Sequence, residues 1–72
     1  MKPTSEDIKR AMHKESKVEF EGVVYDCISA YTYRTRRIRT QRIIPARYEV
    51  ELFSMRCNSV TIAPADEIKI LE

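Results

Sequence analysis

The chain has 72 residues, of which 43% are apolar and 33% are charged, and its formal net charge is +2. A chain of this length forms one small domain with a single core, and its mixture of apolar and oppositely charged residues excludes a disordered acidic or basic tail. No apolar run approaches the roughly 20 residues of a membrane-spanning helix, and residues 1–17 carry charge too often for a secretion signal, so we expect a cytoplasmic protein without a membrane partner.

The first predicted element is a helix over residues 4–16. Thr4 is the expected N-cap, because its side chain can accept a backbone N–H in the first turn, and the acidic residues that follow complement the helix dipole. Ile8, Ala11 and Met12 fall on one apolar stripe. So short a helix with so narrow a stripe is stable only when it docks, and we expect Ile8 and Met12 to pack on the rest of the domain.

Strands are predicted from residue 17 onward, where the apolar period changes to two. The first strand ends at Glu21-Gly22, since glycine can take the positive φ that a hairpin turn requires. A long strand rich in β-branched and aromatic residues follows from Val23 to Tyr33, without a breaker.

A clear alternation of apolar and polar residues returns over residues 47–55. The residues predicted to face the core are Tyr48, Val50 and Leu52. The residues predicted to face solvent are Arg47, Glu49 and Glu51. After a turn at residues 56–58, a strand over residues 59–63 is expected to place Val60 and Ile62 inward, and one helical turn at residues 64–66 precedes a short last strand.

This order of elements predicts a mainly β protein with one N-terminal helix. Five short antiparallel strands in a meander, with a helical turn before the last strand, indicate a small SH3-like barrel over residues 17–71, because curling removes the sheet edges. The alternative is an open antiparallel sheet covered by the helix. In both cases residues 1–72 form a single domain.

Two segments carry a resemblance to other proteins: KVEFEGVVYDCISAY at residues 17–31 and NSVTIAP at residues 58–64. They resemble small uncharacterised proteins carried by phages, prophages and mobile elements of Gram-positive bacteria. The resemblance implies a bacterial, cytoplasmic setting. It implies no activity and no site residues, and it leaves the arginines of the chain unexplained.

Six arginines and no acidic residue occupy residues 31–48, and because this segment carries +6 in a chain of +2, the other residues carry −4. Residues 34–46 connect two predicted strands, and the connection is long for a hairpin, where about two to five residues are common. Its β-branched residues and its lack of glycine favour extended structure. We therefore predict an arginine-rich hairpin arm or loop that meets an anionic partner.

Two classes of partner suit this segment. Isoleucine beside arginine favours a protein interface, so we predict a non-catalytic binding or regulatory module that contacts an acidic protein or a second copy through residues 31–48. The alternative is nucleic-acid binding, in which arginines meet phosphates and tyrosines stack on unpaired bases. The candidate contact residues for either partner are Arg34, Arg36, Arg37, Arg39, Arg42, Tyr31, Tyr33, Ile38 and Ile43.

No enzyme, metal site, cofactor or small-molecule substrate is predicted. His13 lies on the charged side of the predicted helix without a carboxylate to orient it. Cys27 and Cys57 lack the further ligands of a zinc site and an activating base, and both are predicted to be small buried or half-buried strand residues. The single glycine cannot build a phosphate-binding loop.

Overall fold

The computed structural model describes residues 2–71, so the two terminal residues of the predicted domain lie outside it. The described residues form one helix, α1 (Ser5–Lys14), and eight strands. The strands are β1 (Lys17–Phe20), β2 (Val23–Tyr25), β3 (Cys27–Arg34), β4 (Arg37–Arg39), β5 (Arg42–Ile44), β6 (Arg47–Ser54), β7 (Ser59–Pro64) and β8 (Lys69–Leu71). A mainly β protein with one N-terminal helix is thereby confirmed.

Helix α1 begins at the predicted N-cap, Thr4, and ends at Lys14, two residues before the predicted boundary at residue 16. The Thr4 hydroxyl accepts the N–H of Asp7 at 3.1 Å, and the Asp7 carboxylate accepts the N–H of Thr4 at 2.9 Å. Hydrogen bonding to the carboxylate, first by the Thr4 backbone N–H and then by the Thr4 side chain, holds the pKa of the Asp7 carboxyl below its ordinary value. Glu15 ends the helix with a φ of 54°, and its N–H reaches the carbonyl oxygens of Ala11 and Met12.

The strands pair in three antiparallel sheets, with the orders β2-β1-β8, β3-β6-β7 and β4-β5. Only Asp26 separates β2 from β3, so one bent strand takes part in both three-stranded sheets. The Asp26 carboxylate accepts the N–H of Met55 at 2.7 Å, and the N–H of Asp26 donates to the carbonyl of Phe53 at 2.9 Å. The prediction of an uninterrupted strand from Val23 to Tyr33 is therefore wrong, because these hydrogen bonds fix a bend at Asp26.

Within residues 2–71 the sheets are not closed into a barrel, and the predicted SH3-like five-stranded barrel is not confirmed. The helix packs against β3. A single core joins the helix to both three-stranded sheets. Its buried residues are Ile8, Ala11, Val18, Ile28, Val50, Leu52, Ala63, Ala65 and Ile68. The expected docking of the helix is confirmed, since Ile8 is 1% exposed and Met12 packs against the core.

Two of the predictions for β6 are wrong. Val50 and Leu52 are buried as expected, but Tyr48 is 51% exposed and Glu49 is 2% exposed. Tyr48 lies on the same side of β6 as Val50 and Leu52, but the buried core does not extend to this end of the strand. Glu49 lies on the opposite side, as the alternation predicts, yet other side chains cover it.

The predicted faces of β7 are also wrong. Ala63 is buried opposite Val50 of β6, whereas Val60 and Ile62 lie on the other face and are exposed. Val60 and Ile62 are the larger apolar residues and so indicate the wrong face as buried. The residue that packs in the core is the smaller Ala63. The helical turn expected at residues 64–66 is a hydrogen-bonded turn, in which the N–H of Glu67 donates to the carbonyl of Pro64 at 3.1 Å.

Two tight turns follow their sequence signals. Glu21 and Gly22 both take positive φ, 50° and 80°, and join β1 to β2 as predicted. Asn58 takes a φ of 49° in the turn before β7. Both cysteines are free; Cys27 is half-buried, but Cys57 is exposed in this turn, so its predicted burial is wrong.

Candidate functional site

The arginine-rich segment contains a two-stranded ribbon, residues 37–44, which is referred to below as the arm. Of the two forms that the sequence left open, an ordered hairpin and a loop, the structure has the hairpin. Its cross-strand pairs are Arg37 with Ile44, Ile38 with Ile43, and Arg39 with Arg42. Cross-strand partners share a face of a ribbon, and successive pairs alternate between faces.

The two faces of the arm therefore differ in chemistry. One face carries the pair Ile38 and Ile43, whose exposed fractions are 75% and 66%. The other face carries Arg37, Ile44, Arg39 and Arg42. On this second face Arg37 and Ile44 are half-buried, whereas the pair next to the turn is exposed. The arm thus turns an isoleucine pair to solvent.

A buried carboxylate holds the arm to the body of the protein. The Oε2 atom of Glu49 accepts hydrogen bonds from Arg37 Nη2 at 2.9 Å and from Arg47 Nε at 2.8 Å. The Nε atom of Arg34 lies 3.4 Å from the other oxygen, Oε1. Three of the six arginines of the segment therefore converge on the Glu49 side chain. Because Arg37 belongs to β4, its bond to Glu49 connects the arm to β6.

The protonation of Glu49 is set by two opposing effects. Its burial raises the pKa of the carboxyl, because a charge is less stable out of water. The hydrogen bonds and positive charges of Arg37 and Arg47 lower that pKa by more, so it lies below its ordinary value. Glu49 is consequently a carboxylate at neutral pH, although among residues 2–71 it is the only polar or charged residue that is buried.

Sequence reasoning missed Glu49 and Arg47 as parts of this site. The signal for Glu49 is its position, because it is the first acidic residue after a run of six arginines. The alternation along β6 gave the correct side of the strand for it. The alternation could not indicate that guanidinium groups from β3, β6 and the arm cover that side.

The remaining arginines of the segment are Arg36, Arg39 and Arg42, and all three are exposed. Within residues 2–71 no carboxylate forms an ion pair with any of them. Arg39 and Arg42 are also directly opposite each other across the arm. Like charges directly opposite each other destabilise a two-stranded ribbon, so this pair does not stabilise the arm.

The predicted contact residues Tyr31 and Tyr33 lie at the base of the arm together with Tyr48. Tyr31 and Tyr48 stack with ring centroids 5.1 Å apart, and Tyr33 meets Tyr48 edge to face at 4.9 Å. The Tyr31 hydroxyl is 2.9 Å from Ser5 Oγ of the helix, and the ring is half-buried. Tyr31 therefore has a packing role, whereas Tyr33 is 55% exposed and has ring surface to offer.

The turn of the arm is less favourable than it could be. Thr40 and Gln41 take φ values of 52° and 61°, which cost residues with a Cβ atom about 1 kcal/mol each. Asn-Gly is the preferred pair where both central residues have positive φ. We expect the double substitution T40N/Q41G to raise the free energy of local opening of residues 37–44 by about 1 kcal/mol, measured as slower amide hydrogen exchange.

A matched variant tests the same turn in the opposite direction. Proline fixes φ near −65°, so Thr40→Pro is incompatible with the turn and should abolish the protection of the arm amides. The core amides of β6 should keep their protection in both variants. Equal exchange rates for the arm in the two variants would contradict this account of the turn.

Other kinds of site have no counterpart in the part of the chain that the structure describes. No three residues among its histidines, cysteines, aspartates and glutamates cluster closely enough to hold a metal ion. Over residues 2–71 no helix has the length and apolarity needed to cross a membrane. His13 is exposed on α1.

Comparison with known proteins identified no relative of this chain. No protein-family model, no curated protein and no solved structure matches the chain.

Proposed function

We propose that the protein is a non-catalytic binding or regulatory module that contacts an acidic protein partner through residues 31–48. One observation carries the proposal: the arm exposes Ile38 and Ile43 side by side, at 75% and 66%. A cross-strand pair of isoleucines packs best when a second surface covers it, because burying each side chain contributes about 1.5–3 kcal/mol. Within the described residues no such surface covers them.

The charge of the arm favours an acidic partner over a second copy. Arg36, Arg39 and Arg42 have no carboxylate partner within residues 2–71, and two copies in contact through their arms would bring these charges closer together. An acidic surface on the partner supplies carboxylates for these three arginines. Arginine is also the residue best suited to bidentate bonds with carboxylates.

Nucleic-acid binding is the second candidate, and one observation favours it. The edge-to-face pair of Tyr33 and Tyr48 is open to solvent at the base of the arm, with 55% and 51% of their surfaces exposed, so unpaired bases have a stacking surface there. Glu49 weakens this candidate, because it neutralises part of the positive charge that phosphates would meet.

The wider setting belongs to the same proposal. We infer a bacterial, cytoplasmic protein related to phages or mobile elements, on the resemblance of residues 17–31 and 58–64. We also infer an SH3-like arrangement of the strands. The support for it is the strand order: β1, the bent β2–β3 strand, β6 and β7 are successive antiparallel neighbours, and β8, which follows a turn, pairs with β1.

Photo-crosslinking at the arm tests the proposed function. With p-benzoylphenylalanine in place of Ile38, we expect a nuclease-resistant adduct with a second protein in a lysate of a Gram-positive bacterium. The same group in place of the exposed Lys9 of α1 is the matched control and should give no such adduct. The further substitution Ile43→Asp should reduce the adduct at least about tenfold, because it removes half of the apolar pair.

Each other outcome has a defined meaning. An adduct that nuclease digestion removes would favour the nucleic-acid candidate, and an adduct with a second copy of the chain would favour self-association. Equal labelling from Ile38 and Lys9 would mean that the arm has no specific partner, and the proposal would then be wrong.

A further inference from the structure

A cavity of about 570 Å³ opens beside the arm, next to Arg39 and Arg42. The residues that line it are Arg39, Thr40, Arg42, Ile43, Ile44, Pro45 and Arg47. Its walls come from the tip of the arm, from β5, and from the short connection between β5 and β6. The fold thus brings together three arginines that are separated in sequence.

The charge of this cavity is unbalanced. Three arginines line it, and no acidic residue does. Arg39 and Arg42 form no ion pair with any residue from 2 to 71, and Arg47 donates to Glu49 through Nε. Arg39 and Arg42 have no counter-charge and repel each other, so an anion that enters the cavity is stabilised by both, whereas Glu49 already offsets the charge of Arg47.

The remaining lining is apolar except for Thr40, and it limits the class of anion. Ile44 and Pro45 form an apolar wall beside the arginines, and Ile44 is half-buried. A ligand that places a carboxylate on the arginines and an aliphatic side chain on this wall satisfies both parts of the cavity. An acidic protein segment with interspersed aliphatic residues has this chemistry, whereas a sugar-phosphate backbone offers no aliphatic side chain.

We propose that this cavity binds an acidic segment of the protein partner, with a carboxylate on Arg39 and Arg42 and an aliphatic side chain on Ile44 and Pro45. The proposal rests on the proposed function, and it names the chemistry that the partner presents. Ile43 also lines the cavity, whereas its cross-strand partner Ile38 does not, so the contact at Ile38 is a separate one. One partner segment therefore meets the arm at the cavity, while apolar surface of the partner covers Ile38 and Ile43.

Nuclear magnetic resonance titration of the intact protein tests the cavity. The probe is a capped peptide of sequence EDLEDL, and the control is QNLQNL, which has the same length and the same leucines without the charges. We expect EDLEDL to shift the Nε–Hε signals of Arg39 and Arg42 and the backbone amides of residues 39–45. QNLQNL should leave these signals unchanged.

Two sets of arginine substitutions separate the cavity from general charge. R39Q/R42Q should weaken the binding of EDLEDL at least about tenfold, because it removes the charge-assisted hydrogen bonds of the cavity. R10Q/R56Q, which removes two exposed arginines outside residues 31–48, should change the affinity less than about twofold. Retention of the amide protection of β6 in each variant verifies that the fold is intact.

Three results would overturn the proposal. The first is an equal loss of affinity in R10Q/R56Q and R39Q/R42Q, since the peptide would then be a diffuse counter-ion. The second is the absence of saturable shifts with EDLEDL at millimolar concentrations. The third is tighter binding of single-stranded oligo(dT) than of EDLEDL at the same cavity. If crosslinking from Ile38 to a protein persists under any of these results, the arm still binds a protein and only the cavity's assignment is wrong.

Discussion

Replacing Glu49 by glutamine is expected to detach the arm from the body and to lower the free energy of unfolding by about 2 kcal/mol. Glutamine keeps the shape of the side chain and removes its charge, so the guanidinium groups of Arg34, Arg37 and Arg47 converge on a neutral amide. The loss stays below that of a fully buried pair, because all three arginines retain some exposure and can turn to solvent. Denaturant unfolding measures the free energy, and hydrogen exchange of residues 37–44 reports the arm.

Glu51→Gln is the matched control for this substitution. Glu51 lies two residues further along β6 on the same side, but its carboxylate accepts a hydrogen bond from Ser29 Oγ at 3.1 Å and forms no ion pair within residues 2–71. Its effect on the free energy of unfolding should stay within about 0.5 kcal/mol. If E49Q leaves the exchange rates of residues 37–44 unchanged, the carboxylate does not hold the arm.

The effect of E49Q is also expected to depend on pH. The folded pKa of Glu49 lies below its value in the unfolded chain, so the carboxylate stabilises the fold at every pH above the unfolded pKa. That stabilisation is lost as the pH falls through the folded pKa, where both states bind the proton. The difference in stability between the natural protein and E49Q should therefore be largest near neutral pH and should vanish in acid. A difference that is constant over this range would contradict the assigned role of the charge.

Replacing Ile8 by alanine is expected to lower the free energy of unfolding by about 2–4 kcal/mol. Ile8 is 1% exposed, and its removal leaves a cavity where α1 meets the core. Folded domains have total stabilities of about 5–15 kcal/mol, and a domain of this size belongs near the lower limit, so a large part of the protein should unfold at physiological temperature. Thermal unfolding followed by circular dichroism measures this effect.

Two further variants keep this expectation testable if Ile8→Ala fails to fold. Ile8→Val removes a single methyl group and should lower the free energy of unfolding by about 1 kcal/mol. Lys9→Ala changes the exposed neighbour and should have an effect within about 0.5 kcal/mol. Equal effects of Ile8→Val and Lys9→Ala would mean that the helix does not dock through Ile8.

Those parts of the fold that depend on local chemistry were predictable from the sequence. Thr4 begins the helix because its hydroxyl reaches a neighbouring N–H, and Gly22 marks a turn because positive φ is open to it. Exposure of Arg36, Arg39 and Arg42 followed from charge alone. For residues 34–46, the extended, glycine-free sequence allowed either a hairpin arm or a loop, and did not choose between them.

The parts that depend on distant residues were not predictable. Glu49 is buried because Arg34 and Arg37, from two other strands, lie over it, and periodicity along β6 contains no information about them. The bend at Asp26 depends on a hydrogen bond from Met55, which is 29 residues away in the chain. The exposed side of β7 was misjudged because residue size favours Val60 over Ala63, whereas pairing with Val50 selects Ala63.

The strand that bends at Asp26 has a consequence for how the protein unfolds. Because its first half pairs with β1 and its second half with β6, neither three-stranded sheet can separate from this strand without loosening the other. We therefore expect both sheets and the helix to melt in one cooperative transition. The two strands of the arm pair only with each other, and Arg37 ties them to β6 through Glu49, so the arm can open and close many times during the lifetime of one folded molecule whenever this ion pair breaks.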